Sequence, residues 1–473
     1  MTRPNILFAI ADDASHMSAY GHRFLHTPHF DRVAAEGIRY DRAYTTNPKC
    51  APSRASILTG QPTWSLREGC CHHGVFPEGV DVFPDFLEDA GYRVGFTGKG
   101  WGPGDYRAGG RVRNPAGNEF NARTLTPPDA SRISARDYAA NFADFLDAGD
   151  TSAPFCFWYG GHEPHRPYSP GEGRRATGEP EKIELPEYWP DDPVVRADVM
   201  DYAFEVEWFD TQLGRILAEL ERRGQLDDTL VIVTSDNGMP FPRVKGQMYE
   251  HDFRLPLAIR WPRQIAGGQV CRSLVSFTEF APTILSAAGV DAPEPMVSAG
   301  LQDTFAGSPD PRRFVCMGRE NHDLGREDDL GYPVRCIRNG EFLYVRNFAP
   351  DRWPAGNPET DFTGCDSSPT KSLILDHHQR GDDQHFALCF GRRPLEELYH
   401  AEADPACTNN LADDPALAHV KDDLWGTLRA TLIDQRDPRI EGRGDVFDRY
   451  PYVGQDTHSW KAYTEGRWEP QRY

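Results

Sequence analysis

Reactive side chains follow four of the predicted strands of this 473-residue chain. Because the carboxyl ends of parallel strands meet at one edge of an open α/β sheet, we expect these side chains to lie close together. Each group taken alone also fits a turn or a helix cap, and Asp-Asn-Gly is a common turn sequence. Four such strand ends in one sheet instead predict a reaction site, whose members are Asp12, Asp13, Lys99, His162, His165, Asp236 and Asn237.

Four of these residues offer only oxygen atoms to a metal ion: Asp12, Asp13, Asp236 and Asn237. Oxygen donors of this kind select hard cations such as Ca²⁺ or Mg²⁺ and not zinc. Three carboxylates brought to one place also repel one another unless a cation offsets their charge. The sequence therefore predicts a divalent-cation site at this edge of the sheet.

Cys50 begins a predicted helix that continues to Leu58 and ends at Thr59-Gly60. Pro52 suits the first turn of such a helix. A side chain at a helix N-terminus lies beside free N–H groups and the positive end of the helix dipole, which favour an anion. Arg54 lies four residues further on, over the same face. On these grounds alone Cys50 is either the reactive group of an anion site or a buried structural cysteine.

A sheet is needed to position these residues, and the apolar pattern predicts one. Apolar runs alternate with helical patterns, which indicates an α/β fold whose large domain has a mostly parallel mixed sheet flanked by helices. Two segments rich in Gly, Pro and Arg, 102–130 and 160–193, are predicted to be long functional loops. The predicted strands are Ile6–Ala11, Val94–Thr97, Phe155–Tyr159 and Leu230–Ser235, and the predicted helices are Phe83–Ala90, Ala135–Leu146 and Asp201–Arg223.

The pattern changes near residue 330 and predicts a second, smaller α+β domain with an antiparallel sheet. Val334–Ile337 and Glu341–Asn347 flank Asn339-Gly340, which is a hairpin signal. Residues 350–385 are predicted to be irregular, and a helix is predicted near 415–435. We therefore divide the chain into a catalytic domain, 1–330, and a C-terminal α+β subdomain, 331–473.

The formal net charge of −21 argues against binding to nucleic acid or to an anionic membrane surface. An anion site must then be a local positive pocket, which favours a small or chain-end substrate. No apolar run approaches the roughly 20 residues of a membrane helix. The N-terminus carries no secretion signal, so we expect a cytoplasmic location, or a secreted or periplasmic one if a leader has been removed. The ten cysteines form no CxxC pair and are expected to be reduced thiols.

The segment Cys50–Gly60 resembles the type I sulfatase signature C-x-P-S-R-x-x-x-L-T-G. The resemblance covers nearly the whole chain and implies an alkaline-phosphatase-like fold. Within the family, the chain is most similar to the sulfamidases, which hydrolyse N-sulfoglucosamine, through Thr229–Pro242, His162–Arg166 and Tyr332–Arg335. The other matching groups, in family order, are Asp12-Asp13, Thr97-Gly98-Lys99, His162-x-x-His165, Ser235–Gly238 and the run from Glu397 to Leu411.

This resemblance implies a role for each candidate residue. A separate maturation enzyme oxidises Cys50 to formylglycine, whose hydrate attacks sulfur beside a Ca²⁺ ion, for which Mg²⁺ is the alternative. The implied metal ligands are Asp12, Asp13, Asp236, Asn237 and the modified Cys50. Arg54 holds the hydrate, Lys99 and Lys245 neutralise the sulfate oxygens, and His162 acts near the leaving group. His165 and His322 are expected to contact the substrate, although a structural role fits either equally well.

One position departs from the family pattern. The family usually has a histidine two residues after the lysine of Thr-Gly-Lys, and this chain has Gly100-Trp101 there. Trp101 cannot transfer a proton, although its indole N–H can donate a hydrogen bond. The sulfate pocket is therefore expected to differ locally from that of its relatives.

The implied activity is removal of sulfate from a sulfated saccharide. N-sulfoglucosamine at a chain end is the first expectation, and an O-sulfated sugar is the alternative. The expected partners are a sulfated mono- or oligosaccharide and a formylglycine-generating enzyme. No nucleic acid and no membrane are expected as partners, and both a monomer and a homodimer are left open. Hydrolysis of phosphodiesters or phosphonates is a rival, disfavoured because Asn237 stands where zinc-dependent relatives need a histidine. A binding protein that lost catalysis is another rival, disfavoured because Cys50, Arg54 and Lys99 are present together.

Overall fold

The computed structural model describes residues 3–128, 131–306 and 314–470. Within these ranges the strands are β1 (Asn5–Ala11), β2 (Ile38–Tyr44), β3 (Gly74–Val75), β4 (Arg93–Gly98), β5 (Gly104–Asp105), β6 (Asn118–Glu119), β7 (Phe155–Gly160), β8 (Thr229–Ser235), β9 (Arg254–Arg260), β10 (Gln269–Cys271), β11 (Val275–Ser276), β12 (Phe314–Arg319), β13 (Val334–Asn339), β14 (Phe342–Asn347) and β15 (Glu396–His400). The helices are α1 (Pro28–Glu36), α2 (Cys50–Thr59), α3 (Phe83–Asp89), α4 (Tyr138–Asp147), α5 (Pro193–Arg222), α6 (Glu250–Phe253), α7 (Phe280–Ala287), α8 (Pro369–Gln379), α9 (Gln384–Cys389), α10 (Ala418–Asp434) and α11 (Trp460–Thr464). None of the helices in these ranges combines the length and apolar composition that crossing a bilayer requires.

A nine-stranded sheet forms the centre of the larger unit, in the order β10-β2-β9-β8-β1-β7-β4-β6, with β11 paired to β2. In this sheet β9 is antiparallel to both of its neighbours, and the other pairings among the described strands of the sheet are parallel. The predicted mostly parallel α/β sheet is confirmed. The four strands predicted from apolar runs are β8, β1, β7 and β4, which are consecutive neighbours in the sheet.

Both faces of this sheet are covered by helices. Leu7 and Ala9 of β1 belong to the core cluster that includes α1, α4 and α5, whereas Ile6 and Phe8 belong to the cluster that includes α2, α3 and α7. A strand buried on both faces needs apolar residues at every position, which explains the continuous apolar runs. The same packing holds α2, and with it Cys50, against the sheet.

Two helices begin where aspartate caps place them, and the predicted starts are wrong. The side chain of Asp192 accepts a hydrogen bond from the backbone N–H of Val194, so α5 begins at Pro193 and not at Asp201. Asp137 accepts one from the N–H of Ala140, so α4 begins after it and residues 131–136 stay outside the helix. Such caps satisfy N–H groups that the first helical turn leaves without partners.

The segment 350–385 is not irregular, contrary to the prediction. It contains α8 and the first residues of α9. Ser368 caps α8 by accepting a hydrogen bond from the backbone N–H of Lys371, and Pro369 occupies the first helical position. Both are standard helix-start signals that the weak apolar periodicity of this segment obscures.

The second sheet is antiparallel, in the order β12-β13-β14-β15. The predicted smaller α+β unit with an antiparallel sheet is confirmed, as is the hairpin of β13 and β14. One face of the sheet packs on the larger unit, where Val334 and Val345 join Phe253, and the other packs on α10. Its first strand, β12, precedes residue 331, at which the sequence analysis begins the subdomain.

Candidate active site

The carboxyl ends of β1 and β8 lie side by side because the two strands are parallel neighbours. Asp12 and Asp13 follow β1, and Asp236 and Asn237 follow β8. The backbone N–H of Asp13 donates to Oδ1 of Asp236 across 3.1 Å, and Nδ2 of Asn237 donates to Oδ1 of Asp13 across 2.8 Å. The structure thus brings together the four oxygen-bearing residues that the sequence proposed as metal ligands.

Helix α2 places the thiol of Cys50 beside this group. Its Sγ lies 3.7 Å from Oδ1 of Asp13. One ligand atom from each of Asp12, Asp13, Cys50 and Asp236 lies within 4.8 Å of all the others. Burial raises the pKa of the Cys50 thiol well above its usual range, and the carboxylate of Asp12 raises it further. Cys50 as encoded is therefore a protonated thiol, which is a poor nucleophile.

The donor set fits a hard divalent cation. Oδ1 of Asn237 is buried and has no hydrogen-bond partner among the described residues. A buried acceptor without a partner is costly unless a ligand contacts it. This oxygen and the neighbouring carboxylates are the kind of donors that Ca²⁺ and Mg²⁺ take in proteins.

Three cationic side chains contact the carboxylates of the cluster, and two of them, Arg54 and Lys245, are buried. Each contact is 2.7 Å long: Arg54 Nε to Asp236 Oδ2, Lys99 Nζ to both oxygens of Asp12, and Lys245 Nζ to Asp13 Oδ2. The guanidinium of Arg54 also donates to the backbone carbonyl of Lys99 across 2.7 Å. Because positive and negative groups are matched, the site can take up a cation and an anion as a pair without a large change in its total charge.

Both lysines stay charged. Burial lowers the pKa of Lys99, but the negative groups around it, Asp12 foremost, together raise the pKa above its ordinary value. Burial likewise opposes the charge of Lys245, and Asp13 and Asp366 together raise its pKa well above the usual range. Ammonium groups held in this way can bind the oxygens of a sulfate group and stabilise the charge that develops on them.

A cavity of about 840 Å³ opens from the charged cluster. Asp12, Lys99 and Lys245 line it, so a ligand in the cavity can reach them. Its other walls come from the 102–136 loop, the turn after β7 and the C-terminal unit, the last through residues 323–324, 363–366 and 452–458. The volume lies within the usual range for a small-ligand site.

The three candidate histidines lie in different surroundings. His162 lines the cavity, and its Nε2 is hydrogen-bonded to the guanidinium of Arg136. His165 also lines the cavity, with Nε2 3.9 Å from Oδ2 of Asp13. His322 is buried and is not among the cavity-lining residues of the described chain. The structure therefore brings His162 and His165 to the site and leaves His322 behind its wall.

Several charged residues of the cavity were missed by the sequence reasoning. One is Asp366, whose Oδ2 lies 3.3 Å from the ammonium of Lys245, a predicted residue that also contacts Asp13. Lys49 pairs with Asp323 across 2.9 Å, and His72 contacts the same carboxylate across 2.8 Å. Lys49 directly precedes Cys50, which is a usable signal. The two aspartates lie in the C-terminal unit, where no local pattern marks them.

Trp101 does not take the place of the missing histidine. Its indole N–H donates to the backbone carbonyl of Ala51 across 3.0 Å, and its ring packs against Phe76. It therefore braces the first turn of α2 from within the core. The imidazoles of His72 and His73 line the cavity instead.

Comparisons with known proteins agree with this geometry. A family model described as Sulfatase matches residues 4–290. The chain is 28% identical over 479 residues to the N-sulphoglucosamine sulphohydrolase of Homo sapiens, covering 92% of this chain and 91% of that protein. It is 27% identical over 469 residues to an ulvan-active sulfatase of Formosa agariphila, covering 93% of this chain and 77% of the relative.

A similar fold is found in a protein solved in complex with its substrate, D-glucosamine-2-N,6-O-disulfate. The TM-score is 0.65 at 22% sequence identity, over 92% of this chain and 99% of that one. At this identity the likeness concerns the fold alone.

Proposed function

Because the chain belongs to the sulfatase family, we propose that it removes sulfate from a sulfated saccharide, N-sulfoglucosamine at a chain end being the first choice. The nucleophile is a formylglycine made from Cys50, and the metal ion is Ca²⁺. An O-sulfated sugar is the second choice of substrate.

The observation that carries this proposal is the position of Cys50. A thiol that burial and a carboxylate keep protonated lies at a helix N-terminus, within reach of Asp12, Asp13 and Asp236. As a thiol it is poorly suited to attack sulfur. As the precursor of an aldehyde hydrate, it is placed where a metal and a cation can hold one hydroxyl each.

Asp12, Asp13, Asp236 and Asn237 would hold the metal ion, which when bound lowers the pKa of a hydroxyl and polarises a sulfate oxygen. Arg54, fixed by Asp236 and the carbonyl of Lys99, holds the nucleophile in place. The ammonium groups of Lys99 and Lys245 bind sulfate oxygens and stabilise charge as the bond to sulfur breaks. His162 faces the side of the cavity that receives the leaving group.

The cavity supports a short sugar as the substrate. Carboxylates from the C-terminal unit, Asp323 and Asp366, line it together with Glu205, and such groups accept hydrogen bonds from sugar hydroxyls. The N-sulphoglucosamine sulphohydrolase of Homo sapiens aligns with this chain along nearly its whole length, which supports the N-sulfated sugar as the first choice.

Sulfate release by protein co-produced with a formylglycine-generating enzyme tests the proposal. We expect release from N-sulfoglucosamine, none from Cys50→Ala protein, and full activity in Cys316→Ala, which changes a half-buried cysteine of β12. Mass spectrometry of the Cys50 peptide should show the aldehyde. Release from glucosamine 6-O-sulfate alone would move the choice to the O-sulfated sugar, and faster turnover of aryl phosphates or phosphonates would refute sulfate removal as the main activity.

A further inference from the structure

The segment before α4 holds the turn after β7 from one side. Two of its residues and the first residue of α4 contact the His162-Glu163 dipeptide, and we call these three the clamp: Ser134, Arg136 and Tyr138. The N–H of Ser134 donates to Oε1 of Glu163, and the hydroxyl of Tyr138 donates to Oε2, each across 2.9 Å. The Tyr138 oxygen also accepts a hydrogen bond from the N–H of His162 across 3.1 Å. The backbone of the dipeptide is therefore fixed at several points.

Arg136 completes the clamp by contacting the imidazole itself. Its guanidinium is hydrogen-bonded to Nε2 of His162. A guanidinium has donors only and keeps its proton at every physiological pH, so Nε2 must be the acceptor. An imidazole with an accepting Nε2 carries its single proton on Nδ1. No described residue forms a hydrogen bond with Nδ1, and His162 lines the cavity.

The charges around His162 agree with a neutral ring. Burial lowers its pKa to about 3, since the opposing effect of Asp12 is countered by Arg136, Lys99 and Arg54. A protonated ring would also direct an N–H at the Arg136 guanidinium, donor against donor. His162 therefore faces the cavity as a neutral hydrogen-bond donor and not as a charged acid.

We infer that Arg136 is a positioning residue, which holds His162 in the Nδ1–H tautomer so that this N–H donates a hydrogen bond to the atom leaving sulfur. The inference rests on the proposed function for the identity of that atom, the nitrogen or oxygen of the sugar. Arg136 itself does not contact the sulfur atom and acts through His162. Its effect is greatest where the leaving group is basic and least where the leaving group is already a stable anion.

The hold on Nε2 can be tested without enzyme activity. Diethyl pyrocarbonate acylates an imidazole nitrogen whose lone pair is free, and peptide mass spectrometry gives the rate at each histidine. In Arg136→Met we expect His162 to react about tenfold faster than in the wild type, as the loss of a charge-assisted hydrogen bond requires. In Arg136→Lys, which keeps a donor, the rate should stay near that of the wild type. Equal rates in all three proteins would overturn the inference.

The effect on the leaving group is tested with two substrates. On the saccharide sulfate that the wild type hydrolyses, Arg136→Met should lower kcat about 100-fold, with partial rescue in Arg136→Lys. On 4-nitrophenyl sulfate, whose phenolate needs no donor, kcat should change less than about threefold. Arg123→Met, which removes an exposed partner of Asp144 in the same loop, should match the wild type on both.

The outcomes separate the two proposals. Equal losses on both substrates, or a rise in KM alone, would mean that Arg136 supports the fold or binds the sugar, and would overturn the inference. A wild type that releases no sulfate from any substrate would remove the proposed function, and the labelling rates would still decide whether Arg136 holds Nε2.

Discussion

Lys245 donates a hydrogen bond to Asp13 across 2.7 Å, although the two residues lie 232 positions apart in the chain. On the other side of the same ammonium, Oδ2 of Asp366 lies 3.3 Å away. Lys245 thus links Asp13, which follows β1 of the larger unit, to Asp366 of the smaller unit. A charged group that contacts two anions is well fixed, and Lys245 lines the cavity in which we propose that the sulfate group binds.

Replacing Lys245 tests its part in binding the sulfate group. Lys245→Ala removes a buried cation from the transition state, and kcat for sulfate release should fall about 100- to 1,000-fold. Lys245→Arg keeps the charge and should lose much less. Lys461→Ala, at an exposed position of α11, is the matched control and should behave as the wild type. Steady-state kinetics check this, and an unchanged kcat in Lys245→Ala would exclude the assigned role.

Metal addition should stabilise the folded protein. A ligand that binds only the folded state adds about 2.7 kcal/mol to the unfolding free energy at 100 times its dissociation constant. Thermal unfolding with and without Ca²⁺ after treatment with a chelator measures this gain. Asp236→Asn should reduce it strongly, while Asp445→Asn, which alters an exposed ion pair, should keep it. An equal gain in Asp236→Asn would place the ion elsewhere.

A buried charge network ties the second sheet to the C-terminal segment. Nε of Arg335, on β13, contacts Asp437 across 2.8 Å, and Nη2 of the same guanidinium contacts Glu320 across 2.8 Å. Arg335→Met leaves both buried carboxylates without this partner and should lower the unfolding free energy by about 3–5 kcal/mol. Arg449→Met, in an exposed pair with Asp445, should leave it unchanged within error. Denaturant unfolding provides both values, and a loss of similar size in the two variants would contradict the expectation.

His322 should make the fold sensitive to acid. Burial lowers its pKa well below 6.5, and Arg319 lowers it further, so the folded protein keeps the ring neutral. Below the ordinary pKa of 6.5 the unfolded chain binds the proton more readily, so this contribution to stability is present above that pH and is lost as the pH falls.

In His322→Phe the unfolding free energy should therefore fall less steeply than in the wild type, by about 1.4 kcal/mol for each pH unit below 6.5. Urea unfolding at several pH values measures the slope. His419→Phe, at an exposed position of α10, is the control and should keep the slope of the wild type. Identical slopes in all three proteins would mean that His322 is protonated in the fold.

Local sequence patterns predicted the residues that lie at strand ends and at the start of α2. Asp12, Lys99 and Asp236 follow buried apolar runs, and Cys50 precedes a helix, so each could be placed from its own neighbourhood. Asp323 and Asp366 reach the cavity only because the second sheet packs on the larger unit, which is a long-range consequence of the whole fold. The position of Arg136 likewise depends on its neighbour Asp137, which caps the start of α4.

The sequence alone shows which residue stands at position 101, but it does not show where the side chain of Trp101 packs. The sequence showed that no histidine follows Lys99, and predicted a local change in the pocket. The structure places the indole in the core, bonded to Ala51, which the sequence could not reveal because that contact spans 50 positions. The cavity receives imidazoles from His72 and His73, which lie on a different segment.

Every residue of α2 is buried in the finished protein, including Cys50 at its start. An enzyme that oxidises Cys50 has to grasp the chain around it, and no part of that chain is on the surface after folding. The proposed modification therefore has to take place before the sheet packs over the helix, while the polypeptide is still being made or is held unfolded. The yield of active protein then depends on the rate of Cys50 oxidation relative to the rate of folding. Conditions that slow folding should therefore raise the fraction of chains in which Cys50 is oxidised.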